Sequence, residues 1–213
     1  MDIYRIVFSP IRVNTYVIAD QTGECAVIDC GCYSPAESEV LAELIEKNKL
    51  KPVLLLNTHC HPDHVFGNNF MLTRYNLLTL CGSEEERIRK SAVNLSVILG
   101  LTMEKPPEPR AWLEDGQTIT FGGTELTALH VPGHSPGSYA FWCQKEKVVF
   151  TGDALFKGSI GRSDLPGGNH QTLLDSIRTK LLVLPPETVV YPGHEDKTTI
   201  GDEIKNNPYL SEP

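Results

Sequence analysis

Four times along this chain an apolar, strand-like run ends in a short turn that carries histidine or aspartate. Val53 to Leu56 leads to Thr58-His59-Cys60-His61-Pro62-Asp63-His64. Thr124 to Val131 leads to Pro132-Gly133-His134, Val148 to Phe150 leads to Thr151-Gly152-Asp153, and Val189 to Tyr191 leads to Pro192-Gly193-His194. Loops at strand ends are where a rigid scaffold presents functional side chains. A glycine in three of these turns lets the backbone turn sharply. One such histidine alone is more often a hydrogen-bonded turn residue than a ligand. Four turns of matching chemistry call for a fold that brings four strand ends to one place.

The densest of the four holds three of the seven histidines within six residues. A His-rich surface loop is the bland explanation. Neutral imidazole is the commonest protein metal ligand, and carboxylates share sites with it. On an extended segment, residues two apart face the same way, so His59 and His61 can grip one metal while Cys60 points elsewhere. Asp63 and His64 fall where a turn aims them at a second metal. With the lone histidines, His59, His61 and His134 make a three-histidine site with room for water. Asp63, His64 and His194 make a second, and Asp153 can bridge the two. Nitrogen and oxygen donors without cysteine fit two divalent ions of zinc, iron or manganese and do not choose among them. Such a pair suits hydrolysis, because it lowers the pKa of a water toward neutrality. Asp63 is expected to help orient that nucleophile. Asp29, in Ile28-Asp29-Cys30-Gly31, reads either as an acceptor that fixes a ligand imidazole or as a turn-forming aspartate.

The remaining chain bounds the reading. Its 213 residues suit one large domain, expected over residues 1–213. A formal net charge of −8 disfavours a broad nucleic-acid surface. The start, Met1-Asp2-Ile3-Tyr4-Arg5, lacks a basic segment followed by an apolar run, and no stretch is long enough to span a bilayer. A cytoplasmic location with reduced thiols is therefore expected. The six cysteines form neither a C-x-x-C zinc pattern nor a disulfide framework. Cys30-Gly31-Cys32 is a weak candidate for metal binding or a redox pair, since free cysteine is more often a small buried hydrophobe.

Strands are predicted over Ile3–Phe8, Thr15–Ala19, Ala26–Ile28, Thr118–Phe121 and Ser138–Cys143 besides the four runs above. Val53–Leu56, being continuously apolar, reads as buried on both faces. Helices are predicted over Pro35–Lys49, with Ser34 as N-cap, and over Asn68–Tyr75, Glu84–Leu99 and Leu173–Leu184. The fold class is one mixed α/β domain.

These motifs closely resemble the metallo-β-lactamase superfamily, whose pattern is H-x-H-x-D-H, then a lone His, then Asp, then His. The resemblance implies an αβ/βα four-layer sandwich with the metals at one edge. Within that superfamily the chain is similar to the glyoxalase II group, the hydroxyacylglutathione hydrolases, in Pro132-Gly133-His134-Ser135-Pro136-Gly137, Thr151-Gly152-Asp153-Ala154-Leu155-Phe156 and Tyr191-Pro192-Gly193-His194-Glu195. Gly158 to Asp164 and the tail from Thr198 to Leu210 resemble a compact bacterial subgroup. That implies hydrolysis of a thioester such as S-D-lactoylglutathione. Only 19 residues follow His194, so the helical C-terminal glutathione-binding domain of the larger enzymes is not expected. Their Lys and Tyr contacts to glutathione correspond here to Arg162 and Asp164. Arg162 keeps the charge and is the candidate substrate-binding residue, whereas an ionised Asp164 cannot donate as a tyrosine does.

An oxidoreductase is the rival reading. Persulfide dioxygenases of the same superfamily resemble the Gly-Arg-Ser-Asp loop and the Asn-Pro tail, and imply one iron held by His59, His134 and Asp153. A β-lactamase is disfavoured, because there is no export signal and position 153 does not carry the thiolate of one large class.

Overall fold

The computed structural model describes residues 1–210; the last three residues of the expected 1–213 domain lie outside the described residues. The first half runs β1 (Asp2–Phe8), β2 (Val13–Ala19), β3 (Glu24–Ile28), α1 (Pro35–Lys47), β4 (Lys51–Leu56), α2 (Pro62–Val65), α3 (Asn68–Tyr75), β5 (Thr79–Gly82), α4 (Glu86–Ile98) and β6 (Ala111–Leu113). Its six strands form one sheet in sequence order, antiparallel from β1 to β3 and parallel from β3 to β6.

The second half runs β7 (Thr118–Phe121), β8 (Thr124–His130), β9 (Tyr139–Cys143), β10 (Val148–Gly152), β11 (Leu155–Phe156), β12 (Ser159–Ile160), α5 (His170–Ser176), β13 (Val189–Pro192), β14 (Thr198–Thr199) and α6 (Ile200–Asn206). Its main sheet has the order β14-β13-β10-β9-β8-β7, and β11 and β12 form a separate hairpin.

Side chains alternate across a strand, and here each face meets a different layer. Tyr16, Ile18, Ala26 and Ile28 of the first sheet pack with Leu126, Ala128, Phe141 and Phe150 of the second. The intervening Val17, Ala19, Cys25 and Val27 instead meet Leu41 and Ile45 of α1 and Met71 of α3. On the far side, Ala140, Val149 and Val190 meet Leu173 of α5 and Ile200 of α6. Helices thus cover both outer faces of two facing sheets, which is the expected αβ/βα four-layer sandwich.

Several boundaries differ from expectation. α1 stops at Lys47, because Asn48 caps it and Lys49 turns to φ +55°. Its start is as expected: Ser34 accepts from Glu37 N, and Glu37 reaches back to Ser34 N. The helix expected from Glu84 begins at Glu86, after a 3-10 turn over Ser83–Glu85. The one expected over Leu173–Leu184 begins at His170, capped by Asn169, and widens to a π-turn over Ile177–Leu181. Within β4 only Leu55 and Leu56 are buried, while Val53 and Leu54 are half-buried. Those two line a groove with Leu77, Leu80 and Arg110 at the N-terminal ends of β4 and β5, so the two-face burial expected of this strand is confined to its C-terminal end.

Candidate metal centre

The site forms where the C-terminal ends of β4, β10 and β13 and the turn after β8 converge. At His61 the backbone is extended, with ψ 152°, and Pro62 then starts α2. Proline suits the first helical position because its missing N–H needs no partner there. The segment before it aims His59 and His61 at one place, and the helical turn aims Asp63 and His64 at another. Asn57 holds the return, donating to His64 O at 2.8 Å.

All seven candidate ligands meet. His134 Nε2 lies 2.9 Å from His61 Nδ1 and 3.2 Å from His59 Nε2. Asp63 Oδ2 lies 3.1 Å from His194 Nε2 and 3.5 Å from His64 Nε2. Asp153 touches both groups: its Oδ1 is 3.5 Å from His64 Nε2, and its Oδ2 is 3.6 Å from both His134 Nε2 and His194 Nε2. In the trios His59–His61–His134, Asp63–His64–His194 and His59–His64–Asp153, the donor atoms lie within 4.8 Å of one another. At 13% and 20% exposure, the side chains of Asp153 and His194 are the more open members, and they mark the side from which solvent reaches the cluster.

Two glycines permit this approach. A Cβ on Gly152, which has φ +50°, would sit 2.3 Å from Thr58 Oγ1. A Cβ on Gly193 would sit 2.2 Å from Asp153 Oδ1 and 2.8 Å from His64 Cε1. At Gly193 the demand is room for Asp153, not the sharp turn expected from the sequence.

The outward ring nitrogens of His59, His64, His134 and His194 meet acceptors, which fixes which nitrogen faces in. His64 Nδ1 donates to Asp29 Oδ2 at 2.9 Å, His134 Nδ1 to Arg162 O at 2.7 Å and His194 Nδ1 to Arg12 O at 3.2 Å. Asp29 also accepts from Thr58 N and Thr58 Oγ1 at 2.8 and 2.7 Å. With its proton given to Asp29, the Thr58 hydroxyl is left to accept from His59 Nδ1 at 3.1 Å. Asp29 thus reaches one histidine of each trio. Its φ of +53° places Asp29 in a turn as well.

The residues fit a metal pair. Buried polar atoms rarely go without a hydrogen bond, yet His64 Nε2 and Asp153 Oδ1, 3.5 Å apart, are buried and make none. Bare imidazole nitrogens that face each other at about 3 Å repel, and a cation between them relieves this. Burial, then the charges of His64 and His134, holds His59 well below the usual imidazole pKa. Burial, then His134, brings His61 down to about 3. Burial pushes Asp153 up, but His64 and His194 outweigh it and hold the carboxyl well below its ordinary value. Burial lowers His64 and His194, but Asp63, Asp29 and Asp153 raise the first well above its ordinary value, and Asp153 and Asp63 raise the second; both would release a proton on binding metal, which takes neutral imidazoles and ionised carboxylates.

Arg162, the candidate substrate-binding residue, lies beside the cluster. Its backbone carbonyl supports His134, while its guanidinium is 61% exposed and makes a two-pronged ion pair with Asp164, both contacts 2.8 Å. Cys60 packs away from the cluster with Val65, Cys81 and Ile88, and the Cys81 thiol and burial push its pKa well up. Cys30 and Cys32 are buried with their sulfurs 3.9 Å apart, outside the three donor trios. Thr58 and Arg12 contact candidate ligands, His59 and His194, and go unmarked in the sequence. The hydroxyl directly before the histidine string is the one signal for Thr58.

Two facing sheets, helices outside them and an imidazole–carboxylate cluster at the strand ends define the metallo-β-lactamase fold. A family model described as the metallo-beta-lactamase superfamily matches residues 9–194, and the chain belongs to that superfamily. It is 37% identical to the hydroxyacylglutathione hydrolase GloC of Haemophilus influenzae, over 99% of each chain. It is 30% identical to the human mitochondrial persulfide dioxygenase ETHE1, over 97% of this chain and 75% of that one. The crystal structure of the BLEG-1 B3 metallo-beta-lactamase superposes with a TM-score of 0.92 at 35% identity, covering 99% of this chain and 100% of that chain. Among the described residues, no helix is long and apolar enough to cross a membrane.

Proposed function

We propose that the chain is a cytoplasmic, metal-dependent hydrolase of a small thioester of the S-D-lactoylglutathione type. The observation that carries this is the convergence of seven nitrogen and oxygen donors into two trios that share Asp153. His59, His61 and His134 would hold one divalent ion, and Asp63, His64 and His194 the other. When bound, the pair would supply a water acidic enough to ionise near neutrality and a Lewis acid for the thioester carbonyl. Zinc is the first choice of metal.

The protein's own part is to hold and orient. Asp63 keeps an ionised carboxyl: burial raises its pKa, but His64 and His194 bring it below the ordinary value. Its oxygens can accept a hydrogen from the attacking water and aim a lone pair at the carbonyl carbon. Phe156 lies edge-on to His194, with ring centres 6.3 Å apart. A thiolate leaves readily, so no strong general acid is required. Arg162 would bind a substrate carboxylate, exchanging its pairing with Asp164 for the ligand.

The test is hydrolysis of S-D-lactoylglutathione by purified, zinc-loaded protein whose metal content has been measured. Release of glutathione and lactate with two metals per chain is the expected result, and no turnover by fully loaded protein overturns the substrate assignment. A second reading, persulfide oxygenation on one iron, is favoured by the contacts of His134 with both His59 and Asp153 and by the 30% identical relative. Oxygen uptake by iron-loaded protein with glutathione persulfide distinguishes it. A cephalosporin in the same panel tests the β-lactamase chemistry named for the superposed structure.

A further inference from the structure

Glu85 is a fully buried carboxylate at the end of the 3-10 turn after β5. It makes no ion pair among the described residues. A buried charge of this kind is costly unless strong donors satisfy it, and its donors here are informative. Oε2 accepts from Cys60 N at 2.8 Å, and Oε1 accepts from Gly137 N at 2.8 Å. Cys60 lies between His59 and His61, and Gly137 lies three residues after His134. The two oxygens of one side chain therefore span the two loops that carry the three-histidine trio. The backbones close up around this bracket: a Cβ on Gly137 would lie 2.7 Å from Glu85 N, and one on Gly82 would lie 2.3 Å from Gly137 O.

Resting on the metal-centre reading above, we infer that Glu85 is a positioning residue for the His59–His61–His134 position. Its carboxylate sets the separation of the two loops and places a negative charge behind a trio that has no carboxylate of its own. The other trio holds Asp63 and makes no contact with Glu85, so the effect belongs to one metal position only. Hydrogen-bonded groups that stand behind ligands typically change metal affinity about 10–100-fold when altered.

Cobalt(II) titration of the full chain tests this, with each position isolated in turn. His194→Ala leaves the three-histidine position, and His61→Ala leaves the other. Glu85→Gln keeps the shape but turns an NH2 toward one of the two amides and removes the charge. We expect Glu85→Gln to weaken cobalt binding about 10–100-fold in the His194→Ala background, to leave it unchanged in the His61→Ala background, and Glu85→Asp to recover part of the loss. Equal weakening in both backgrounds, tracking a fall in melting temperature, would reduce Glu85 to general scaffolding and overturn the inference, as would no weakening in either. Unaltered protein that takes up no cobalt overturns the metal-centre reading itself. If Glu85→Gln does not fold, amide exchange in the unaltered apoprotein decides. Slow, matched exchange of the Cys60 and Gly137 amides is expected, and rapid exchange of either overturns the bracket.

Discussion

A ligand imidazole is aimed by whatever its other nitrogen touches, and for two of the candidate ligands that partner traces to Asp29. It accepts directly from His64 and, through the Thr58 hydroxyl, keeps the proton of His59 on the outward nitrogen. Asp29→Asn places an NH2 against one of these donors and frees that ring to turn. Metal affinity should fall about 10–100-fold with the fold retained; equilibrium zinc titration showing unaltered affinity would remove Asp29 from this role. His61→Ala deletes a donor outright. It should abolish turnover through lost metal while far-ultraviolet circular dichroism is unchanged, and near-normal turnover in a metal-analysed variant would defeat the assignment. Arg162→Ala should raise KM more than it lowers kcat if the guanidinium binds substrate equally in ground and transition states. An unchanged KM would leave only its carbonyl, which supports His134, in use.

At the scale of the element, α1 shows how a cap ties into the sheet beside it. Glu37 accepts from Ser34 N and Tyr33 N with one oxygen and from Ser9 N, in the β1–β2 turn, with the other. Ser34→Ala removes a single acceptor and should cost about 1 kcal/mol. Glu37→Ala strands three amides and should lower the urea midpoint further; an equal or smaller fall would show that water replaces them freely. Such caps are legible in sequence because Ser, Pro and Glu stand at fixed offsets. So are the four ligand turns, because metal donors are few in type and follow strongly apolar strands. β5 and β6, of four and three residues, are too short to develop an alternating pattern and are visible only once their neighbours pair with them. Glu85 is illegible for another reason: an acid just before a helix ordinarily reads as a solvated partner of the helix dipole. Only the fold shows that it faces inward onto two loops.

At the scale of the whole molecule, both trios straddle the two halves of the sandwich. His59 and His61 follow β4 of the first sheet, whereas His134 follows β8 of the second; Asp63 and His64 belong to the first half, and His194 follows β13. Asp153, from the end of β10, touches members of both. The halves also share an apolar core, so the apoprotein is expected to stay folded. Ions held at this seam would nevertheless bind only when the two sheets are docked, because an unfolded chain does not hold residues 59 and 134 together. Binding to the native state alone stabilises by an amount that grows with free ligand, about 4 kcal/mol at a thousand times the dissociation constant. With two ions, about 8 kcal/mol in all, a chain of this length should melt about 20 °C higher. Chelation should therefore lower the melting temperature by about that much, reversibly, with circular dichroism at room temperature unchanged. Removing His194 alone should cancel part of the shift, since one trio remains. Identical melting of apo and loaded protein would mean that metal does not link the halves, and would reassign the cluster to a buried hydrogen-bonding network.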